Sequence, residues 1–264
     1  MSENNRKRNL YGKVEALRNS LGISESDYPI NAVDLCIDKE CAIVEKISFK
    51  TTGLRGMSCM ANESNEKDII LLNSNQNSEE LSFTCGHELM HLLLHRNAKV
   101  QSFSSFEKTM PNQNKFYEWQ ANEGSAELHV PYQQLLRKIK KAYPTLLSWH
   151  DFYSFKSKLA EDYDVSSSVI NFRFESLKYE IDQYLNDVKA EDIEFMSVTK
   201  QKECGINIIS LNDMENQYLN KENESFKKVH DRTLNVSNID IYNESQKNPP
   251  LPVAPGKNGH YQQG

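Results

Sequence analysis

No apolar run in this 264-residue chain comes near the roughly 20 residues that a bilayer-crossing helix needs, so no membrane-spanning helix is expected. Residues 1–8 are polar and have no apolar stretch behind them, so neither a secretory leader nor an N-terminal anchor is expected. An excess of positive charge is missing as well. The formal net charge of −6 argues against a protein whose main partner is a phosphate backbone, because such proteins carry a net basic surface. CxxC pairs are absent, and the five cysteines, Cys36, Cys41, Cys59, Cys85 and Cys204, are odd in number. That pattern suits reduced thiols in a cytosol rather than a disulfide framework, and Cys36 and Cys41, without a second matching pair, are read as structural. No internal repeat with a period of about 20 to 50 residues is present, which excludes a solenoid.

The length suffices for one substantial domain with additional material. Apolar spacings of three and four predict a helix over 4–21, where Leu10, Val14, Leu17 and Leu21 share a face, and Pro29 opens a shorter helix over 28–39. Three β-rich stretches, 41–49, 55–60 and 68–73, predict strands. Helices are then expected over 78–96 and 115–130, after Pro131, and over 147–163 and 167–185, with a polar stretch over 97–114 between the first two. Beyond about Val188 apolar groups thin out, and the end carries Pro249, Pro250, Pro252 and Pro255. Such a segment buries too little surface to offset its ordering entropy and is read as a largely disordered tail, with one possible strand at 206–211. The expected organisation is α+β: a zincin-like domain over 1–145 with a small sheet, a helical extension packed on it over 146–187, and a polar tail over 188–264.

The chemistry lies in Gly86-His87-Glu88-Leu89-Met90-His91, which contains HExxH. Histidines four apart on a helix project from one face, one turn apart, and can ligate a single zinc, while the intervening glutamate reaches the metal-bound water as general base. His95 repeats the spacing but lies too far along to share the ion, and is read as a helix-end histidine. A catalytic zinc takes three protein ligands, so one more is needed. The continuation HExxHxxGxxH fails, because Leu94 and Asn97 stand where glycine and histidine belong. Among Glu107, Glu118, Glu123 and Glu127, Glu118 is chosen: it lies near a helix start, Asn122 follows one turn later and can support a ligating histidine, and Ala121, Ser125 and Ala126 keep that helix slim.

The stretch Phe83-Thr84-Cys85-Gly86-His87-Glu88-Leu89-Met90-His91-Leu92-Leu93-Leu94-His95, followed by Glu118-Trp119-Gln120-Ala121-Asn122 and Ala126-Glu127-Leu128-His129-Val130-Pro131, resembles the ImmA/IrrE metallopeptidases. Members of that family show FTxxHExxHxxLH and then ExxAN-x-FAxxLLMP. The resemblance spans about residues 10–177 and departs at Ser125, His129 and Val130. It implies a gluzincin-like α+β fold, a zinc cofactor held by His87, His91 and Glu118, and site-specific cleavage of a helix-turn-helix repressor by a cytoplasmic enzyme. In that mechanism zinc polarises the scissile carbonyl and acidifies its water, while Glu88 carries the proton to the leaving amine. Tyr117 and His129 are weak candidates for steadying the oxyanion. The strand at 68–73 is a candidate edge for an extended substrate.

Two other readings compete. Residues 159–166 with Ile170 and Arg173 resemble a helix-turn-helix connection, which suggests a DNA-binding or adaptor protein on a zincin scaffold, although Glu161, Asp162 and Asp164 oppose it. Pro249-Pro250-Leu251-Pro252 suggests a docking peptide for a partner domain, with a plain terminal linker as the alternative.

Overall fold

In the computed structural model the described residues are 4–227, apart from 25, 64, 99, 109 and 226. The chain divides into Met1–Gln217 and Tyr218–Gly264, and in the second unit residues 218–225 are helical. The proline-rich end lies outside the described residues.

The first unit opens with α1 (Asn4–Ser20), whose Leu10 and Val14, four apart, point into the core. Helix α2 (Ala32–Asp38) starts after Asn31, whose side chain caps the amides of Val33 and Asp34, so Pro29 stands before the helix rather than in it. Four short strands follow with one long helix among them: β1 (Ile43–Ile47), β2 (Leu54–Cys59), β3 (Ile69–Asn73), α3 (Ser78–Leu94) and β4 (Ser102–Phe106). The rest is helical, with α4 (Lys115–His129), α5 (Tyr132–Ala142), α6 (Trp149–Tyr163), α7 (Ser167–Ser176), α8 (Lys178–Leu185) and α9 (Val198–Glu203). The α+β class expected from the sequence is therefore what the chain adopts.

The sheet order is β1-β3-β2-β4, with β1 parallel to β3 and the other pairs antiparallel. This corrects the expectation that 68–73 offers a free edge: β3 is paired on both sides. The free edge beside the histidine helix is β4, an element missed within the polar stretch 97–114. Its sequence, SFSSF, has only two apolar residues, three apart, and the inward position between them, Ser105, is polar, so the apolar alternation that would mark a strand is missing.

Helix α3 lies between the sheet and α4 and is buried almost all round from Ser82 to Leu92. It begins with a capping box in which Asn77 Oδ1 accepts from Glu80 N at 2.8 Å and Glu80 Oε2 accepts from Asn77 N at 3.3 Å. Two glycines permit its position. A Cβ on Gly86 would stand 2.7 Å from Ser125 Oγ and 2.8 Å from His129 Cε1, so α4 closes on α3 only without one. A Cβ on Gly56 would meet Thr84 at 2.7 Å and Glu88 Oε1 at 3.0 Å, so β2 leaves the floor beneath Glu88 open.

The continuous helix expected over 167–185 is broken at Leu177 into α7 and α8. Part of the segment assigned to the tail also behaves differently. Ile193, Phe195, Met196 and Leu211 are buried, and the Phe195 ring meets Tyr11 and Tyr132 edge-on at 5.4 and 5.1 Å. Residues 206–210 form no strand, and a helix starts at 211. The average polarity of 188–217 conceals three apolar residues within four positions, enough to dock a loop into the aromatic cluster of α1 and α5. A chain cut after Val188 would lose them, and the first compact unit runs on to Gln217, past the point where the tail was expected to begin.

Candidate metal centre

His87 and His91 project one turn apart from α3, and Glu118 stands opposite them on the first turn of α4. His87 Nε2 and His91 Nε2 are 3.0 Å apart, and the Glu118 carboxylate oxygens lie 3.5 and 3.6 Å from them. Tetrahedral coordination with bonds of about 2.0 to 2.1 Å spaces its donors by about 3.3 to 3.4 Å, so the three atoms fit one divalent cation.

The hydrogen bonds behind the donors orient them. Asn122 Oδ1 lies 2.9 Å from His87 Nδ1, which accordingly donates and leaves the Nε2 lone pair facing the centre. Asn122 thus takes the supporting position that its spacing suggests. A second relay runs through His95. Gln120 Oε1 accepts from His95 Nε2 at 3.1 Å, so His95 Nδ1 accepts from His91 Nδ1 at 2.9 Å, and His91 Nε2 is left unprotonated toward the centre. His95 caps the C-terminus of α3, but it also orients His91, a role that sequence reasoning missed although the repeated spacing of four from His87 to His91 to His95 was its signal. Rings lock the relay in place: His91 stacks on Phe103 of β4 at 4.3 Å, and His95 stacks on Tyr117 at 4.3 Å.

Burial and the adjacent His87 and His95 pull the His91 pKa down to about 2, so it is neutral and has a lone pair to offer. Burial also works against a charged His87, but its contact with Glu118 and the nearby Glu88 outweighs this, and its net direction is upward. Two facing nitrogens can share at most one proton, and a cation bound there would take that proton's place.

Glu88 is fully buried. Its Oε2 accepts from Ser58 Oγ of β2 at 2.7 Å, while Oε1, above Gly56, has no hydrogen-bond partner among the described residues. Burial raises its pKa against the opposing pull of His87, which suits a group that must take up a proton and later release it.

The three rejected carboxylates are elsewhere. Glu107 is exposed at the mouth of the cavity of about 240 Å³ that His87 and Glu118 line. Glu123 and Glu127 face away and are held by the buried guanidinium of Arg173 at 2.9 and 2.5 Å. Tyr11 donates to Glu123 and receives a hydrogen bond from Arg173 at 3.0 Å. Arg173 is completely enclosed, as is Ile170, so neither is free to contact DNA. His129 is likewise enclosed, with Nδ1 on Ser125 O at 2.8 Å and Nε2 on Ser82 Oγ at 2.9 Å. It packs α4 to α3 and does not reach the cleft, whereas Tyr117 lines it.

Among the described residues no helix is long and apolar enough to cross a membrane. No curated protein matches the chain. The family model of the M78 peptidases, described as the IrrE N-terminal-like domain, matches residues 44–175. That match spans half of the sequence and takes in all of the sheet but its first residue, the histidine helix, Glu118, and Arg173 with Glu123 and Glu127, and on it the chain belongs to the M78 peptidase family.

Proposed function

We propose that this protein is a zinc-dependent endopeptidase that cleaves a protein substrate held in extended form along the outer edge of β4. The observation that carries the reading is the convergence of His87, His91 and Glu118 on one point beside a buried carboxylate, Glu88, whose Oε1 is unpaired among the described residues. A cation bound there supplies Lewis acidity, polarising a peptide carbonyl and lowering the pKa of a water. Glu88 takes the proton of the attacking water and delivers it to the departing nitrogen, and Ser58 holds the carboxylate in line. Asn122 and His95 keep both imidazoles in the ligating tautomer throughout.

The placement of substrate on β4 rests on the sheet. One side of β4 is paired with β2, and along the other runs a cleft of about 470 Å³ lined by Ser102, Ser104, Phe106, Tyr117 and Glu118. Gln113 Nε2 donates to Ser104 O at 2.6 Å, so this carbonyl accepts from a donor beyond the sheet, and the amide of a substrate strand would replace Gln113 there. An added strand gains affinity from main-chain hydrogen bonds and specificity from pockets beneath alternate side chains.

Five free thiols suit a reducing, cytoplasmic compartment. The substrate we propose is a helix-turn-helix repressor, as the resemblance to the ImmA/IrrE enzymes implies. The test is to incubate zinc-loaded protein with repressors encoded beside its gene, with and without chelator. A single discrete cut that chelator abolishes is the expected result. Cleavage that persists in chelator would overturn the metallopeptidase reading, and cleavage of other proteins alone would overturn the repressor assignment.

A further inference from the structure

Beside the metal centre, α7 walls a second cavity of about 380 Å³, within the size range of ligand pockets. Its apolar surface comes from Phe83 of α3 and from Val169 and Phe172, three apart on one face of α7. Phe83, Arg55 and Asn122 line this cavity and also the one that contains His87 and Glu118, so the two share three walls. Phe83 stands one helical turn before His87 on the same face of α3. Asn122 divides its amide between them: Oδ1 is fixed on His87 Nδ1, while its NH2 group, without a partner among the described residues, can donate to a substrate carbonyl. At the rim Arg55 faces Glu80 at 3.8 Å, so opposite charges stand together and the entrance favours neither sign.

Val169 and Phe172 lie outside the HExxH helix and outside Glu118 and its supporting residues. They belong to the segment that the sequence offers as a helix-turn-helix, and its inward residues, Ile170 and Arg173, are committed to the core. The same helix is left with the half-buried Phe172 at the cavity wall, beside Val169, which packs into the core and lines the cavity with its remaining 6% exposure.

We propose that this cavity is the subsite for a large apolar side chain, leucine, methionine or phenylalanine, on a residue flanking the scissile bond, and that Val169 and Phe172 of α7 determine that preference. The assignment rests on the peptidase reading above. An extended chain turns successive side chains to opposite faces, so a strand on β4 with its carbonyl beside Glu88 directs a neighbouring side chain toward Phe83. Burying a leucine-sized side chain there rather than leaving it in water favours such substrates over alanine by about 10- to 100-fold.

The experiment uses the zinc-loaded full chain and a mixed peptide library, with cut sites read by mass spectrometry, followed by acetylated octapeptides that differ only in leucine or alanine at the preferred position. Leucine, methionine or phenylalanine should dominate at one flanking position. Ser168→Trp, at an exposed rim position, fills the cavity mouth without entering the core and should lower the leucine-to-alanine ratio of kcat/KM about tenfold or more. Phe172→Ala should widen the cavity and move the preference toward tryptophan. Equal zinc content in all three proteins shows that the fold is intact. Absence of any apolar preference at the flanking positions, or a ratio unchanged in both variants, overturns the subsite. Should the parent cut no peptide at all, the peptidase reading is judged by the repressor cleavage above and the subsite by calorimetry on Glu88→Gln protein: the leucine octapeptide must bind at least tenfold more tightly than the alanine one, and Ser168→Trp must abolish the difference, or the subsite falls.

Discussion

Glu118 and Glu123 lie five residues apart on α4; the proposed function gives the first to a cation, while the second is paired with Arg173, so removing each should damage a different property. Glu118→Ala deletes one of three donors that stand 3.0 to 3.6 Å apart. Loss of a supporting residue around a metal costs about 10- to 100-fold in affinity, so loss of a ligand itself should exceed about 100-fold. Metal-free stability should hold or rise, because the same change removes a buried negative charge beside Glu88. Glu123→Ala instead takes one of two carboxylates from an arginine with no exposure and leaves Tyr11 and Ser176 without their acceptor. Breaking one side of a buried pair costs about 3 to 5 kcal/mol, which in a domain of this size lowers the melting temperature by roughly 6 to 20 °C. Zinc titration against a competing chelator, with thermal unfolding in excess chelator, reads both quantities for both variants. The reasoning fails if Glu118→Ala binds zinc like the parent, or if Glu123→Ala melts with it in chelator.

Glu88→Gln should retain zinc while cleavage falls about 10²- to 10⁴-fold, since glutamine keeps the shape but cannot accept a proton; a zinc-loaded, fully active variant would remove Glu88 from the chemistry. His95→Ala should weaken zinc binding about 10- to 100-fold by releasing the His91 tautomer, measurable in the same chelator competition, and unchanged affinity would reduce His95 to a helix cap. His129, held neutral by burial with its pKa lowered to about 4, contributes stability that is complete above about pH 6.5 and is lost as the pH falls toward 4. Chelator-treated His129→Leu should therefore lose about 2 kcal/mol less than the parent between pH 7 and pH 5 in denaturant unfolding, and parallel losses would refute the assignment.

Most helices and three strands were legible because their apolar spacing matches the elements they form: 78–96 was expected for α3 and 115–130 for α4, against Ser78–Leu94 and Lys115–His129. What escaped depends on contacts distant in sequence. The strand Ser102–Phe106 is polar by composition and is made a strand by pairing with β2. Ile193, Phe195 and Met196 form a cluster too short to raise the hydropathy of their window, and contacts distant in sequence, the rings of Tyr11 and Tyr132 and the guanidinium of Arg8, give it a place to dock. The edge position of β4 could not be read locally, since strand order is a property of the assembled sheet. The break at Leu177 likewise left no proline or glycine in the sequence to announce it.

The choice among the carboxylates of α4 was more legible than it first appears, because the helix carries two stripes. Glu118, Asn122, Ser125 and His129 follow at spacings of four, three and four, and every one of them meets α3: the first two at His87, the others at Phe83 O and Ser82. Glu123 and Glu127, four apart, lie on the other stripe, which faces α1 and α7. An acid on the first stripe finds imidazoles and can hold a cation. An acid on the second finds Arg173, and that guanidinium ties both carboxylates away from the centre. Asn122, a supporting residue for a histidine, therefore names the stripe, and once the stripe is named Glu118 is the only carboxylate of α4 on it. Gly86 belongs to the same logic from the other helix: it lets the first stripe approach α3 closely enough for Glu118 to reach between two histidines. Replacing Gly86 should consequently disturb the distance between helices, and with it the donor spacing, without touching any donor.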